Sequence, residues 1–186
     1  YLERSIFECD PYWPPFVGCD VCAAAATIAC FRVAYGARFA FPFIALLNIM
    51  SLYQVRPAVA RDAATIAAIH VNTWQEAYEG LLPEADLKSI SLDKRLKLWR
   101  EAIQYGDPQV HVAVDGDRIV GFVGFDRSRD PKSKPTTGEI WAIYVGPGDW
   151  DKGVGLALWD AAREGLIDEG CTEVTLWVML KNERAL

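Results

Sequence analysis

The residues with the clearest chemical potential lie between 144 and 158, Tyr144-Val145-Gly146-Pro147-Gly148-Asp149-Trp150-Asp151-Lys152-Gly153-Val154-Gly155-Leu156-Ala157-Leu158. A glycine-rich loop here joins a strand-like run to a helix-like one. The first amides of a helix find no partner inside it, and the helix dipole favours negative charge at that end. Gly153 and Gly155 remove the Cβ atoms that would block an approaching ligand, so a pyrophosphate is the natural guest. The plainer alternative is that these glycines only let helix and strand pack closely.

Two familiar phosphate motifs do not fit. A P-loop needs Lys after its last glycine, and Gly153 is followed by Val154. The dinucleotide fingerprint G-x-G-x-x-G fails because its third glycine would fall on Leu158 counting from Gly153, or on Asp151 counting from Gly146. The cysteines offer a second possible chemistry. Cys9, Cys19, Cys22 and Cys30 crowd the first 30 residues, and Cys19-Asp-Val-Cys22 is a C-x-x-C. A zinc site needs four placed ligands, the other spacings fit no zinc pattern, and His70 and His111 are far off in sequence, so no metal is expected.

The elements that must carry the loop can be read around it. Tyr53 to Ala58 is a short strand. Asp62 is the expected N-cap of a helix through Ile66, Ile69, Thr73, Trp74 and Tyr78. Gly80 and Pro83 interrupt, and Ser91 caps a helix from about Leu92 to Gln104 with the stripe Leu92, Leu96, Trp99 and Ile103. Val110 to Val114 and Arg118 to Asp126 form a hairpin about Asp115-Gly116-Asp117, with Ile119, Gly121, Val123 and Phe125 on one face. A polar loop from Arg127 to Thr137 leads to the strand Glu139 to Val145. After the glycine loop a helix runs from about Gly153 to Asp168, stopped before Gly170, and Glu173 to Met179 is the last strand. The pattern predicts an α/β domain in which a hairpin feeds a strand–loop–helix–strand unit.

Composition bounds the whole. The 186 residues are 52% hydrophobic and 24% charged, enough for a packed core, and the net charge of -6 argues against a broad nucleic-acid surface. Residues 1–49 differ from the rest. They show no sustained period, carry a turn-like Asp10-Pro11-Tyr12-Trp13-Pro14-Pro15, and hold two short apolar stretches, 21–31 and 39–49, separated by Arg32 and Arg38. Neither stretch has the length of a spanning helix, so no membrane partner is expected, although a tether through residues 21–49 is an alternative. Met50-Ser51-Leu52-Tyr53 reads like a protein's beginning, which divides the chain into an N-terminal extension at 1–49, non-native or poorly ordered, and a domain at 50–186.

With those residues on the page, 50–186 resembles the GNAT superfamily of acetyl-CoA-dependent N-acetyltransferases, in its bacterial form. Gly153-Val154-Gly155 matches the glycine part of that family's Q/R-x-x-G-x-G/A motif, with Trp150 where Gln or Arg is usual. Gly138 to Val145 resembles the family's fourth strand, Leu176-Trp177-Val178 its fifth, and Asn182-Glu183-Arg184-Ala185 the N-x-x-A opening of the next helix. Thr73 to Pro83 resembles its early helical region. The resemblance implies a mixed, mostly antiparallel sheet flanked by helices. The family's last two strands find no match here, so the chain reads as a C-terminal truncation with an open strand edge and low activity.

The resemblance also implies the chemistry. Acetyl-CoA would be the cosubstrate, with no metal, and the acceptor a primary amine of a small molecule or peptide. Backbone amides of Trp150, Asp151, Lys152, Gly153, Val154, Gly155 and Leu156 would surround the pyrophosphate. The backbone of Ile143, Tyr144 and Val145 would pair with the pantetheine arm and polarise the thioester carbonyl, and Asn182 would hydrogen-bond the arm. Glu139 is the candidate base, taking the amine proton directly or through water, against the reading of an ordinary strand-end charge; Glu76 and Asp126 are the other carboxylates considered. The family's general-acid Tyr has no counterpart. Trp74, Tyr78 and Trp141 are expected to line the acceptor pocket or simply to pack, and His70 to be a wall or core residue. The expected setting is cytoplasmic, with a homodimer open to it. The competing reading is a GNAT-like module that binds acyl-CoA without catalysis, because a fold does not fix an activity.

Overall fold

The computed structural model describes residues 2–6, 28–34, 53–179 and 181–182. Its strands are β1 (Leu2–Ile6), β2 (Ile28–Ala34), β3 (Gln54–Pro57), β4 (Gln109–Asp115), β5 (Arg118–Arg127), β6 (Thr137–Val145) and β7 (Glu173–Met179). Its helices are α1 (Ala63–Ala77), α2 (Glu84–Ser89), α3 (Leu92–Tyr105) and α4 (Val154–Asp168). The strands form one sheet in the order β1-β2-β7-β6-β5-β4-β3. Every neighbouring pair is antiparallel except β6 and β7. That parallel pair requires a crossover, and α4 supplies it.

α4 buries one stripe, Val154, Leu158, Ala162 and Leu166, at the four-residue spacing of a helix face. The stripe packs on Ala113, Val123, Phe125, Ile140 and Val174 from the sheet. The approach is close enough to require glycine at 165, where a Cβ would stand 2.7 Å from Phe125 Cε2. The opposite face carries α1 and α3, whose Ile66, Ala67, Trp99 and Ala102 cover Val110, Val112 and Phe122. The result is three layers, helix–sheet–helix, with a mixed and mostly antiparallel sheet, as the sequence predicts.

Four local expectations change. Asp62 stands at the N-cap position of α1, as expected, but its side chain makes no capping hydrogen bond to that helix, and a 3-10 turn at Ala60–Asp62 runs ahead of it. The Asp62 carboxylate instead accepts from Val59 N–H at 2.9 Å and from Arg56 Nη1 at 2.7 Å. Leu92 is 50% exposed and stands outside the α3 stripe, which packs through Leu96, Trp99 and Ile103. Ile119 packs with the α1/α3 face rather than with Val123 and Phe125. Val114 pairs with Ile119 but Ala113 with Gly121, so Val120 is an extra residue and the bulge flips the alternation. The short α2 follows Pro83 at a favourable helix start that the sequence reading took as an interruption.

The N-terminal residues enter the sheet. β2 pairs along the outer edge of β7, from Ile28 opposite Met179 to Ala34 opposite Glu173, and β1 pairs with β2. The β7 edge that the sequence reading leaves open is thus covered by backbone from before Met50. Cys9, Cys19, Cys22 and the 39–49 apolar stretch lie outside the described residues. Among the described residues no helix is long and apolar enough to cross a membrane, and no group of three or more His, Cys, Asp or Glu is placed to hold a metal ion.

Candidate active site

β6 and β7 pair only from Thr137 opposite Glu173 to Ile140 opposite Leu176, although β6 continues to Val145 and β7 to Met179. The cause of the parting lies on β6. Gly124 pairs with Ala142 and Phe125 with Ile140, so Trp141 is an extra residue, and a bulge bends the strand where the pairing ends. The two strands open a wedge beyond that point.

The register decides which backbone groups face the wedge. Gly146 N–H donates to Val120 O at 2.8 Å, so the hydrogen-bonded pairs of this antiparallel ladder include Tyr144 with Phe122. Tyr144 therefore turns its amide and carbonyl to β5. Ile143 and Val145, one residue to either side, turn theirs to the wedge. The Val145 carbonyl is already engaged there: it accepts from Thr73 Oγ1 at 3.0 Å and from Trp150 Nε1 at 2.7 Å.

The wedge ends at the glycine loop. Asp151 and Gly153 both have positive φ, 60° and 87°. An L-residue pays for that conformation and glycine does not, which explains Gly153. A left-handed residue among right-handed ones curls successive amides around a concavity of the kind that takes anions. The first α4 amide with a helical partner is Ala157, bonded to Gly153 O at 3.1 Å. The amides of Val154, Gly155 and Leu156 precede it at the positive end of the helix dipole. A Cβ on Gly155 would meet only Val145 Cγ2, at 4.0 Å, so the space before the helix mouth is open. Amides at a helix mouth beside an open space suit an anion such as a pyrophosphate.

Charged side chains brace the loop from behind. Asp149 is 4% exposed and accepts both arms of Arg118, at 2.5 and 2.9 Å. Lys152 Nζ folds back to Gly148 O at 2.6 Å and to Asp149 at 3.3 Å. The Arg118 hydrogen bonds hold the Asp149 carboxyl below its ordinary range against the opposing pull of burial, with Lys152 assisting.

The side of β6 opposite α4 carries the remaining candidates. Glu139 is 3% exposed, and Arg129 grips it with its backbone N–H at 3.1 Å and Nη2 at 2.7 Å. The same guanidinium stacks 3.6 Å over the Trp141 ring. Further along, His70 stacks on Tyr144 with ring centres 4.5 Å apart, and its Nδ1 accepts from Trp99 Nε1 at 3.1 Å. Because indole only donates, the neutral imidazole carries its proton on Nε2. Burial, helped by the Arg95 charge, pushes the His70 pKa down to about 3, which makes it a neutral core residue as the sequence suggests. Burial also pushes the Tyr144 and Tyr78 phenols upward. Trp74 packs edge-on to Tyr78 at 4.7 Å, and Tyr78 is hydrogen-bonded to the Asn182 side chain just past β7. Trp141 thus keeps company with Arg129, apart from the Trp74–Tyr78 pair. A surface hollow lined by Asp93, Leu96, Lys97, Arg100 and Glu101 belongs to one face of α3 and contains none of these groups.

A parallel strand pair that parts at a bulge thus leads into the glycine loop and the mouth of α4. Residues 70–186 match the acetyltransferase (GNAT) family. The chain belongs to that family. It is 30% identical over 132 residues to the uncharacterized N-acetyltransferase YuaI of Bacillus subtilis, covering 70% of this chain and 74% of that protein. Its fold is similar to that of the PaiA N-acetyltransferase from Thermoplasma acidophilum, a structure in complex with coenzyme A, with a TM-score of 0.63 at 19% identity over 72% of this chain and 83% of the other. A structure of YncA from Salmonella typhimurium with its cofactor acetyl-CoA aligns with a TM-score of 0.50 at 23% identity over 63% of this chain and 65% of the other.

Within this GNAT-family chain the structure brings Ile143, Val145 and the residues from Trp150 to Leu156 to one wedge, and places Glu139 on the same strand beyond the Trp141 bulge. Thr73, Arg118 and Arg129 escape the sequence reading. Thr73 opens the stretch that resembles the family's early helical region, but no motif marks these three partnerships, since each joins residues at least ten positions apart in the chain.

Proposed function

We propose that this chain moves an acetyl group from acetyl-CoA directly to the primary amine of a small molecule or peptide. The wedge between β6 and β7, closed at one end by the amide concavity, carries the reading. Acetyl-CoA would supply the activated thioester. The amides from Trp150 to Leu156 would hold its diphosphate, while Ile143 and the Val145 N–H would pair with the arm. A backbone N–H on β6 would stabilise the charge developing on the thioester oxygen. The new C–N bond would form as the C–S bond breaks, the amine proton would pass to a base, and coenzyme A would depart as its thiolate to be protonated from solvent. Glu139 is the base we propose. Arg129 holds its carboxylate, so the proton reaches it through water or after Arg129 releases one oxygen. Asn182, whose side chain bonds to Tyr78, would hydrogen-bond the arm.

The cytoplasmic setting and a homodimer go with this proposal and are tested by fractionation and by light scattering. The activity itself is tested by thiol release from acetyl-CoA across a panel of amines. Release dependent on an amine supports transfer. Tight coenzyme A binding with no release under any amine would favour the alternative, a non-catalytic acyl-CoA-binding module. Glu139→Gln should lower kcat by about a hundredfold if the carboxylate is the base, and an unchanged kcat would remove it from that role.

A further inference from the structure

The peptide joining Val145 to Gly146 is held at both ends. Its N–H donates to Val120 O at 2.8 Å within the sheet. Its carbonyl accepts Thr73 Oγ1 at 3.0 Å from α1 and Trp150 Nε1 at 2.7 Å from the loop. Thr73 is buried at 5% exposure, so its hydroxyl has few competitors. A carbonyl oxygen has two lone pairs, and here both are used. This peptide is the hinge point at which the chain leaves β6 for the glycine loop, and three separate elements fix its plane. Trp150 lies five positions after Val145, so the indole spans the base of the loop and sets the distance between the strand end and the amides that follow.

We infer that Thr73 and Trp150 are positioning residues for the diphosphate-binding amides, acting together through the Val145 carbonyl. The inference rests on the acetyl-CoA reading of the loop. It also narrows the cofactor contacts: a carbonyl with both lone pairs filled is closed to a bound arm, which leaves Val145 N–H and the two Ile143 groups toward the wedge. Trp150, which stands where the family motif carries Gln or Arg, thereby has a task of its own that needs only its indole N–H.

The test is calorimetric titration of the full chain with coenzyme A, for the unaltered protein, Thr73→Val, Trp150→Phe, the double variant and Thr73→Ser. A lost neutral hydrogen bond corresponds to roughly fivefold in a binding constant. Thr73→Val and Trp150→Phe should each raise Kd by about fivefold. The double variant should fall well short of the roughly 25-fold product, because two donors sharing one acceptor are coupled. Thr73→Ser should bind within about twofold of the unaltered chain, since it keeps the hydroxyl and loses the methyl group; a purely packing role would show the reverse order, with Val tolerated and Ser impaired. Unchanged affinity in Thr73→Val, or effects that multiply in full, would overturn the inference. If Trp150→Phe does not fold, the Val and Ser variants at Thr73 decide alone. Coenzyme A that fails to bind the unaltered chain would instead overturn the reading of the loop, and the inference with it.

Discussion

Arg118 closes both arms of its guanidinium on the two oxygens of Asp149, at 2.5 and 2.9 Å, across 31 residues of chain. The pair ties the start of β5 to the turn that opens the glycine loop. A planar fork on a carboxylate fixes orientation as well as distance, and Lys cannot reproduce it.

Asp149→Asn should therefore weaken coenzyme A binding several-fold and lower the melting temperature by a few degrees. Arg118→Lys should do the same to a smaller extent, because it keeps the charge and loses the fork. The folded-state carboxyl is held below its ordinary 3.8. Its contribution to stability is present above that value and disappears as pH falls through the depressed one. Melting curves and coenzyme A titrations of the two variants check the prediction, and identical affinities would remove the pair from any role in the loop.

Gly153 sits at φ 87°, in open space. A Cβ there meets no neighbour, so the cost of Gly153→Ala is conformational, about 1–2 kcal/mol. Coenzyme A affinity should fall several-fold as the loop relaxes to a different curl. Gly153→Asp adds a negative charge where we propose that the diphosphate binds and should cost more than tenfold. Titration of both variants with coenzyme A tests this, and undiminished affinity in Gly153→Asp would place the diphosphate elsewhere.

His70 gives a pH dependence with a definite sign. The unfolded chain takes up a proton near the ordinary 6.5, whereas burial and Arg95 keep the folded ring neutral down to about 3. Stability is complete above about 6.5 and declines as pH falls through that window, by at most about 1.4 kcal/mol per pH unit. His70→Gln keeps a neutral acceptor for Trp99 and should flatten the decline between pH 6 and 4.5, although it is less stable at pH 7.5. Urea unfolding at several pH values measures both slopes. Parallel slopes would mean that His70 takes no part.

The pairing of β2 on β7 predicts the behaviour of a chain that starts at Met50. We propose that residues 50–186 carry the acetyl-transfer site while the N-terminal strands protect a sheet edge. Without residues 1–49 the outer side of β7 would present unpaired amides and carbonyls, which invite self-association. The shortened protein should melt about 5 °C or more below the full chain and aggregate at lower concentration. Equal melting temperature and solubility would show that the extension contributes nothing to the fold.

The sequence alone determined the features that depend on near neighbours. The α4 stripe at 154, 158, 162 and 166 follows from a period of 3.6 residues. The Ser91 cap and the glycine stop at 170 follow from one residue's preference, and the loop before α4 follows from its glycines. Motif order along the chain was enough to indicate the family. Tertiary structure decided what depends on register. Bulges at Val120 and Trp141 shift the alternation of two strands, and no local pattern announces an extra residue. The wedge, the commitment of Tyr144 to β5, and the turning of Ile143 and Val145 outward all follow from that shift. So do the partnerships of Thr73 with Val145, Arg118 with Asp149, and Arg129 with Glu139. Hydrogen bonds between residues 72, 31 and 10 positions apart exist only once the sheet has set their distance, and the chain between them carries no trace of that distance.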